Sequence, residues 1–169
     1  MAMGSRGTVL AVDVANGLTR LGTFVGEELV GAWDVSTPRH LTSDEAYEYV
    51  AYVREHFLPE DELGGSILSC VVPSHSEAWT NALSRASVTR PLVVGPGLRM
   101  GMRLSVETPS EVGSDRVANV VAARALYGSP VVAVNLGTTT NIEVVDASGA
   151  FVGGAIAPGV MLGARALSD

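Results

Sequence analysis

The sequence predicts an α/β fold of two related lobes, because two β-hairpins open on similar patterns far apart in the chain. In each, an apolar strand runs into a small polar turn and then into another strand, over residues 9–24 and 131–146. Apolar runs bounded by Gly, Asn and Thr are typical of strands joined by tight turns. Apolar residues recur at helical spacing between the hairpins, so helices are expected to flank the sheets.

Three strands and a helix are predicted to open the first lobe. The strands begin at Thr8, Leu18 and Glu28, and Gly26-Glu27 forms the turn between the last two. A helix should follow over residues 42–59, because Thr42 and Glu45 have the spacing of a capping box and Pro59 ends the apolar repeat.

The rest of the first lobe is predicted to add a buried strand, a helix and a short strand. Ser66 to Val72 is a continuous apolar run that ends at Pro73, as in a strand covered by helices. A helix is expected over Ser76 to Ala86 and a strand over Pro91 to Val94. Gly95-Pro96-Gly97 then forms a turn, and a connecting stretch follows it.

The second lobe is predicted to begin with a helix over Ser114 to Tyr127, which Gly128 ends. After the second hairpin, Gly149 to Phe151 turns into a third strand, and residues 155–159 lead into a helix. Gly153-Gly154 is expected to need positive φ or a close backbone approach. The lobes are assigned to residues 1–109 and 110–169, and the second is expected to be incomplete.

Charge and composition exclude several functions. The 169 residues carry a formal net charge of −7 without a basic cluster, so no nucleic-acid partner is expected. The chain contains no lysine, which excludes a Walker lysine and the strand lysine of protein kinases. Any phosphate must therefore be bound by backbone amides, hydroxyls, arginine or a metal ion.

The sequence favours a cytoplasmic protein without a membrane partner. Cys70 is the single cysteine and cannot form an internal disulfide. No apolar stretch approaches the roughly 20 residues that a membrane span requires, and the first residues lack a signal-peptide pattern.

Six short motifs, in their order and spacing, resemble the type III pantothenate kinase family. They are residues 13–17 (DVANG), 69–73 (SCVVP), 95–97 (GPG), 111–116 (EVGSDR), 135–140 (NLGTTT) and 153–159 (GGAIAPG). This family belongs to the superfamily of acetate and sugar kinases, Hsp70 and actin. The resemblance implies a two-lobe, ribonuclease H-like (actin-like ATPase) fold with mixed sheets.

The resemblance also implies an activity, the ATP-dependent phosphorylation of pantothenate, which is the first step of coenzyme A biosynthesis. ATP, Mg²⁺ and a monovalent cation, K⁺ or NH₄⁺, are the implied cofactors. A carboxylate in such a site accepts the proton of the acceptor hydroxyl. Sugar or acetate kinase activity is the enzymatic alternative, since the fold alone does not name the acceptor.

Asp115 is the expected general base by this resemblance. It lies at the start of a predicted helix, where the helix dipole stabilises a negative charge. A helix-capping Asp is the alternative interpretation. Gly113, Ser114 and Arg116 complete the implied pantothenate site, in which Arg116 would bind a carboxylate or amide of the substrate.

The residues expected to bind ATP lie in the two hairpins. Asp13 would lie near the Mg²⁺ ion and the phosphates, and the turns offer amides and hydroxyls to phosphate oxygens. The phosphate-binding set is Asp13, Val14, Ala15, Asn16, Gly17, Thr19, Arg20, Gly137 and Thr138, with Thr139 and Thr140 beside it.

Several positions depart from the family pattern. Ala15 and Gly17 stand where the family usually has Gly and Thr, which removes one phosphate-facing hydroxyl. Asn135 replaces an Asp associated with the monovalent cation, so that site should be weakened. Val106 stands near the position of an aromatic residue that commonly contacts pantothenate.

The chain is also shorter than the family pattern, which leads to two expectations. An incomplete second lobe would leave apolar faces uncovered, so a homodimer or a hetero-oligomer with a chain that completes the lobe is expected. The chain would be a pantothenate kinase, on its own or as one subunit. The alternative is a non-catalytic paralogue or fragment with a binding or regulatory role.

Overall fold

The chain forms two compact units, Met1–Val94 and Gly95–Asp169. The computed structural model describes residues 7–58, 63–95 and 98–168. The predicted helix stop at Pro59 and the predicted turn at Pro96-Gly97 lie outside these residues.

A five-stranded mixed sheet forms the centre of the first unit, in the order β3-β2-β1-β4-β5. The strands β1, β2 and β3 form an antiparallel meander, whereas β4 and β5 run parallel to β1. Both pairing modes were expected of the implied fold. The five strands are β1 Thr8–Val14, β2 Leu18–Val25, β3 Glu28–Ser36, β4 Gly65–Cys70 and β5 Leu92–Val93.

Two helices cover one face of this sheet, α1 (Ser43–Phe57) and α2 (Pro73–Ala86). The predicted capping box begins α1: the Thr42 hydroxyl accepts from the Glu45 amide at 3.2 Å, and the Glu45 carboxylate accepts from the Thr42 amide at 2.8 Å. Leu10, Leu68 and Trp79 are completely buried between the helices and the sheet. Trp33 packs at the rim of this core, stacked on Tyr52 with ring centroids 4.3 Å apart.

The predicted start of α2 at Ser76 was wrong. The helix begins at Pro73, which occupies its first turn. Proline fits there because the missing N–H has no partner inside a helix, and its fixed φ already suits helical geometry. A proline that was interpreted as the end of a strand therefore begins a helix instead.

A three-stranded antiparallel sheet, β6-β7-β8, forms the second unit with two helices. The helix α3 packs against β6 and β7, and Val120, Val145 and Phe151 form the buried core. The predicted bounds of α3 are confirmed. The elements are α3 Ser114–Tyr127, β6 Val131–Leu136, β7 Thr139–Val145, β8 Phe151–Pro158 and α4 Val160–Ser168.

Residues 98–112, expected to form a connecting stretch, pack in the second unit. Leu104 forms a parallel bridge with Phe151, and Met102 and Val112 pack against its core. Within this segment, Pro109–Glu111 forms a short 3₁₀ helix. The compact units therefore divide between Val94 and Gly95, earlier than the lobe boundary at 109/110 that the sequence suggested.

The glycine pair in β8 adopts the special geometry that the sequence predicts. Gly153 has a φ of +109°, and a Cβ on Gly154 would overlap the carbonyl oxygen of Ile142 on β7. The strand β8 extends further than expected, to Pro158, because its small residues pair along the whole length of β7.

The face of the second sheet away from α3 is apolar and exposed. Val132, Val134 and Leu136 of β6 are 58%, 57% and 65% exposed. Ile142 and Ala155 lie beside Val134 in the same row of the sheet. Among the residues that the structure describes, no helix has the length and apolar character needed to cross a membrane.

Candidate functional site

Residues 15–17 form the tight turn between β1 and β2 in the first unit. The Ala15 amide donates to the carbonyl of Leu18 at 3.0 Å, and the Thr37 hydroxyl donates to the carbonyl of Ala15 at 2.7 Å. In the part of the chain that the structure describes, no hydrogen bond uses the amides of Asn16 and Gly17, which are exposed. These two amides can bind an anion, as phosphate-binding turns do.

Thr19, expected to face phosphate, instead braces this turn. Its side chain is buried, and its hydroxyl lies 2.9 Å from the hydroxyl of Thr37. Because Thr37 donates its proton to the carbonyl of Ala15, the Thr19 hydroxyl acts as the donor to Thr37. Val14 is likewise buried in the core.

Asp13, Arg20 and Asp34 form a row across β1, β2 and β3. The Arg20 Nε lies 3.8 Å from the Asp34 carboxylate, and both side chains are more than half exposed. Asp13 is half-buried at the end of β1, beside β4. Burial, together with the charge of Asp13, raises the pKa of the Cys70 thiol, so this cysteine is a poor nucleophile.

Gly137 and Thr138 form the corresponding turn between β6 and β7 in the second unit. The Gly137 amide donates to the carbonyl of Thr139 at 3.0 Å, and the Thr140 hydroxyl donates to the carbonyl of Pro158 at 3.1 Å. A Cβ on Gly159 would overlap the carbonyls of Gly137 and Thr138. Among the described residues, no hydrogen bond uses the amide or hydroxyl of Thr138, so both can reach a ligand.

Asp115 lies in the first turn of α3, after Gly113 at the N-cap and the buried Ser114. Its Oδ1 accepts from the Arg116 amide at 2.8 Å, which satisfies one of the unpaired amides of that turn. Within the described ranges, Oδ2 accepts no hydrogen bond. Asp115 therefore supports the helix start with one oxygen, and its other oxygen is available for a further hydrogen bond.

Arg116 follows directly and is held from two sides. Its Nε donates to the Glu143 carboxylate at 3.3 Å, and its guanidinium carbon lies 5.7 Å from the centre of the Phe151 ring. Only 18% of the arginine side chain is exposed. The guanidinium is therefore held against Glu143 and Phe151.

Glu143 is a charged residue that the sequence analysis missed. It lies on β7 and is completely buried. Burial raises the pKa of its carboxyl, and the nearby Asp115 raises it further, whereas the hydrogen bond and charge of Arg116 act in the opposite direction. The strand pattern concealed it, because a polar residue next to Ile142 is normally assigned to the exposed face.

Asn135 and Val106 both lie in the second unit. Asn135 is half-buried on β6, opposite Asn141 of β7, and lines a shallow pocket of about 270 Å³ together with Asn119 of α3. Val106 packs against the core that contains Phe151. No group of three or more His, Cys, Asp or Glu side chains in the described residues is arranged to hold a metal ion.

The expected site residues thus form two groups. The first unit holds Asp13, the 15–17 turn, Thr19 and Arg20, and the second holds residues 113–116 and the 137–138 turn. A family model described as type III pantothenate kinase matches residues 9–169 of this chain. The chain belongs to the type III pantothenate kinase family.

Curated type III pantothenate kinases resemble this chain over nearly its whole length. The protein from Listeria monocytogenes serotype 4a (strain HCC23) is 40% identical over 163 residues, which are 94% of this chain and 62% of the relative. The protein from Moorella thermoacetica is 39% identical over 161 residues, 94% of this chain and 63% of the relative. The chain therefore spans about 62% of the length of the curated relatives it matches.

A solved structure supports the fold. The ethanolamine utilization protein EutJ from Carboxydothermus hydrogenoformans superposes with a TM-score of 0.54 at 19% identity, covering 94% of this chain and 57% of that one. At this identity the likeness concerns the fold alone. Together with the mixed sheet of the first unit, it confirms the predicted fold class of the pantothenate kinase family member.

Proposed function

We propose that this chain phosphorylates pantothenate with ATP, the activity for which its family is named. The observation that carries the proposal is the start of α3, where Asp115 has a carboxylate oxygen without a hydrogen bond among the described residues and Glu143 holds the side chain of the next residue, Arg116. A base and a cation on adjacent residues suit an acceptor that has both a hydroxyl and a carboxylate, as pantothenate does.

In the proposed reaction, the oxygen of the primary hydroxyl of pantothenate attacks the γ-phosphorus of ATP. The Oδ2 atom of Asp115 accepts the proton of that hydroxyl as the attack proceeds. Arg116 binds the carboxylate of pantothenate and orients the hydroxyl toward the phosphate. The bond between the γ-phosphorus and the bridging oxygen breaks, and ADP leaves with that oxygen. Positioning and charge neutralisation account for most of the rate in such transfers.

Each turn, taken within its own unit, is proposed as a binding site for phosphate oxygens of ATP. The unused amides of Asn16 and Gly17, and the unused amide and hydroxyl of Thr138, fit phosphate oxygens. When bound with the nucleotide, Mg²⁺ neutralises charge on the phosphates. Asp13, at the end of β1, would hold it indirectly. Since Ala15 and Gly17 supply no hydroxyl, binding at the first turn depends on backbone amides.

The test is a mass-spectrometric assay for phosphopantothenate with the purified chain, ATP, Mg²⁺ and pantothenate, in K⁺, NH₄⁺ or neither. Asp115→Asn keeps the shape of the side chain and removes the base, so a loss of activity of roughly 10²–10⁴-fold is expected. Asp44→Asn is the matched control, because Asp44 is also the second residue of a helix but pairs with Arg85 in the first unit.

Product from the parent and from Asp44→Asn, but not from Asp115→Asn, would support the kinase. A folded parent that makes no product would contradict it. ATP and pantothenate titrations followed by calorimetry would then identify the alternative, a binding or regulatory chain that holds a ligand without turnover. Glucose and acetate serve as acceptors in parallel reactions that test the alternative kinase activities.

We also propose that the reaction rate responds only weakly to monovalent cations. A second proposal is that the chain self-associates. Asn135 supplies no charge to a cation, so K⁺ should change the rate little. The exposed side chains of β6 are uncharged, namely Val132, Val134 and Leu136. A second copy of the chain would cover them. Light scattering that shows a monomer at assay concentration would overturn the second proposal.

A cytoplasmic location belongs to the same proposal. ATP is present in that compartment, and a chain with the single cysteine Cys70 forms no internal disulfide that would need an oxidising environment. Fluorescence microscopy of the tagged chain in cells tests this, and export of the protein would contradict it.

A further inference from the structure

Glu143 is a buried carboxylate that the proposed reaction does not use. Its side chain has no exposed area, and its Oε1 lies 3.3 Å from Nε of Arg116. Its Oε2 has no hydrogen-bond partner among the described residues. A buried carboxylate without full hydrogen bonding is costly, and an apolar residue of similar size would be cheaper at this position if packing alone mattered.

The residues around Glu143 identify the side chain with which its carboxylate interacts. Asn141 and Val145, two residues away on either side in β7, are also buried, and α3 packs over this strand. Arg116 provides the one ion pair of Glu143 in the described residues, and it is one of the first residues of α3. The carboxylate is therefore directed at the arginine next to Asp115.

Arg116 is left with a defined set of free donors. Its guanidinium carries five N–H groups, of which one, on Nε, is bound to Glu143. Phe151 lies against the guanidinium, 5.7 Å from its carbon to the ring centre. The N–H groups of Nη1 and Nη2 make no hydrogen bond within the described ranges. Because Glu143 occupies Nε, the parallel pair formed by Nη1 and Nη2 remains to bind a carboxylate in a bidentate manner.

We propose that Glu143 is a positioning residue, which fixes Arg116 through Nε so that its terminal nitrogens bind the carboxylate of the acceptor. The inference rests on the proposed function for the identity of that acceptor. Glu143 does not touch the substrate. It restricts the rotation of Arg116 before the substrate arrives, which reduces the entropy lost on binding.

Kinetics test this with Glu143→Gln and Glu143→Leu. Gln keeps the shape and a neutral acceptor for Nε, whereas Leu removes both charge and acceptor. The KM for pantothenate is expected to rise severalfold in the first and roughly 10–100-fold in the second, the range of a lost hydrogen bond to a charged group. The KM for ATP should not change, and kcat should fall less than the KM rises.

A purely structural Glu143 would behave differently. It would lower the amount of folded enzyme and leave the KM of the folded fraction unchanged, which would overturn the proposal. Glu45→Gln is the control for loss of a structural carboxylate, because Glu45 caps α1 in the first unit and should leave both KM values unchanged. Circular dichroism verifies that each variant is folded.

A second measurement does not require turnover. The Nε–H signal of Arg116 is identified in ¹⁵N-correlated NMR spectra by its absence in Arg116→Lys. In the parent, pantothenate should shift this signal, and pantothenyl alcohol, which has a hydroxyl in place of the carboxylate, should not. In Glu143→Gln the signal should exchange faster with water, and the response to pantothenate should weaken.

The two readouts separate failure of the inference from failure of the proposed function. An Nε–H signal that is the same in Glu143→Gln as in the parent, or equal responses to pantothenate and its alcohol, would overturn the positioning role even in an active kinase. A parent without kinase activity whose Arg116 still distinguishes the two ligands would contradict the proposed function and support the positioning role.

Discussion

Replacing Gly154 with alanine is expected to destabilise the second unit by about 3 to 5 kcal/mol, because the sheet has no room for a side-chain carbon there. Gly154 lies opposite Glu143 in the pairing of β7 with β8. A Cβ would overlap the carbonyl oxygen of Ile142 and lie 2.8 Å from its carbonyl carbon. These are backbone atoms of a paired strand, so they cannot rotate away.

The magnitude follows from that geometry. Carbon atoms that are not bonded to each other pack at about 3.5–4.0 Å, so the Ile142 carbonyl carbon alone requires β8 to move by roughly 0.7 Å, and the closer carbonyl oxygen requires a larger movement. Such a movement breaks backbone hydrogen bonds between β7 and β8 around residue 154. Losing about two hydrogen bonds costs about 2 kcal/mol, and the strain of overpacking adds about 1–3 kcal/mol.

Urea unfolding followed by circular dichroism measures the change, and hydrogen exchange with mass spectrometry locates it in the peptides of residues 139–158. Gly163→Ala is the matched control, because a Cβ there meets nothing within 4 Å. In the interior of α4 that change should be neutral or stabilise by up to about 1 kcal/mol. If Gly154→Ala unfolded within about 0.5 kcal/mol of the parent and its exchange stayed unchanged, the steric argument would be refuted.

Two further predictions concern a helix cap and a buried charge. Thr42→Ala removes the capping hydroxyl of α1 and should lower the free energy of unfolding by about 1 kcal/mol in urea, and an unchanged midpoint would contradict this. Because the pKa of Glu143 is raised on folding, the folded chain binds more protons above the ordinary Glu pKa of about 4.3. Stability should therefore fall as pH rises through the window above that value, and Glu143→Gln should flatten the fall in a pH series of unfolding curves. Parallel curves for parent and variant would reject the assignment.

The parts of the fold that depend on local signals were predictable from the sequence. The capping box at Thr42 begins α1, and Gly26 and Gly128 adopt the positive φ that their turns require. Pro73 was ambiguous, because proline suits both the end of a strand and the first turn of a helix. The pairing of Leu104 with Phe151 joins residues far apart in the sequence, and no local pattern indicates it.

The candidate site likewise contains residues that the sequence identifies and a residue that it does not. Asp115 and Arg116 stand in a contiguous motif, so a resemblance to a family identifies them. Glu143 was missed because alternation of polar and apolar residues normally places the charge on the solvent side of a strand. In β7 the buried side carries Asn141 and Glu143, since α3 brings an arginine to that side.

The placement of Trp33 and Trp79 makes the two units spectroscopically distinct. The chain has 2 tryptophans, and both pack around the core of the first unit. Tryptophan emission therefore reports on that unit alone, without a dye or a tag. Comparing its response to denaturant with that of circular dichroism, which samples both units, would reveal whether they unfold as one cooperative body or independently.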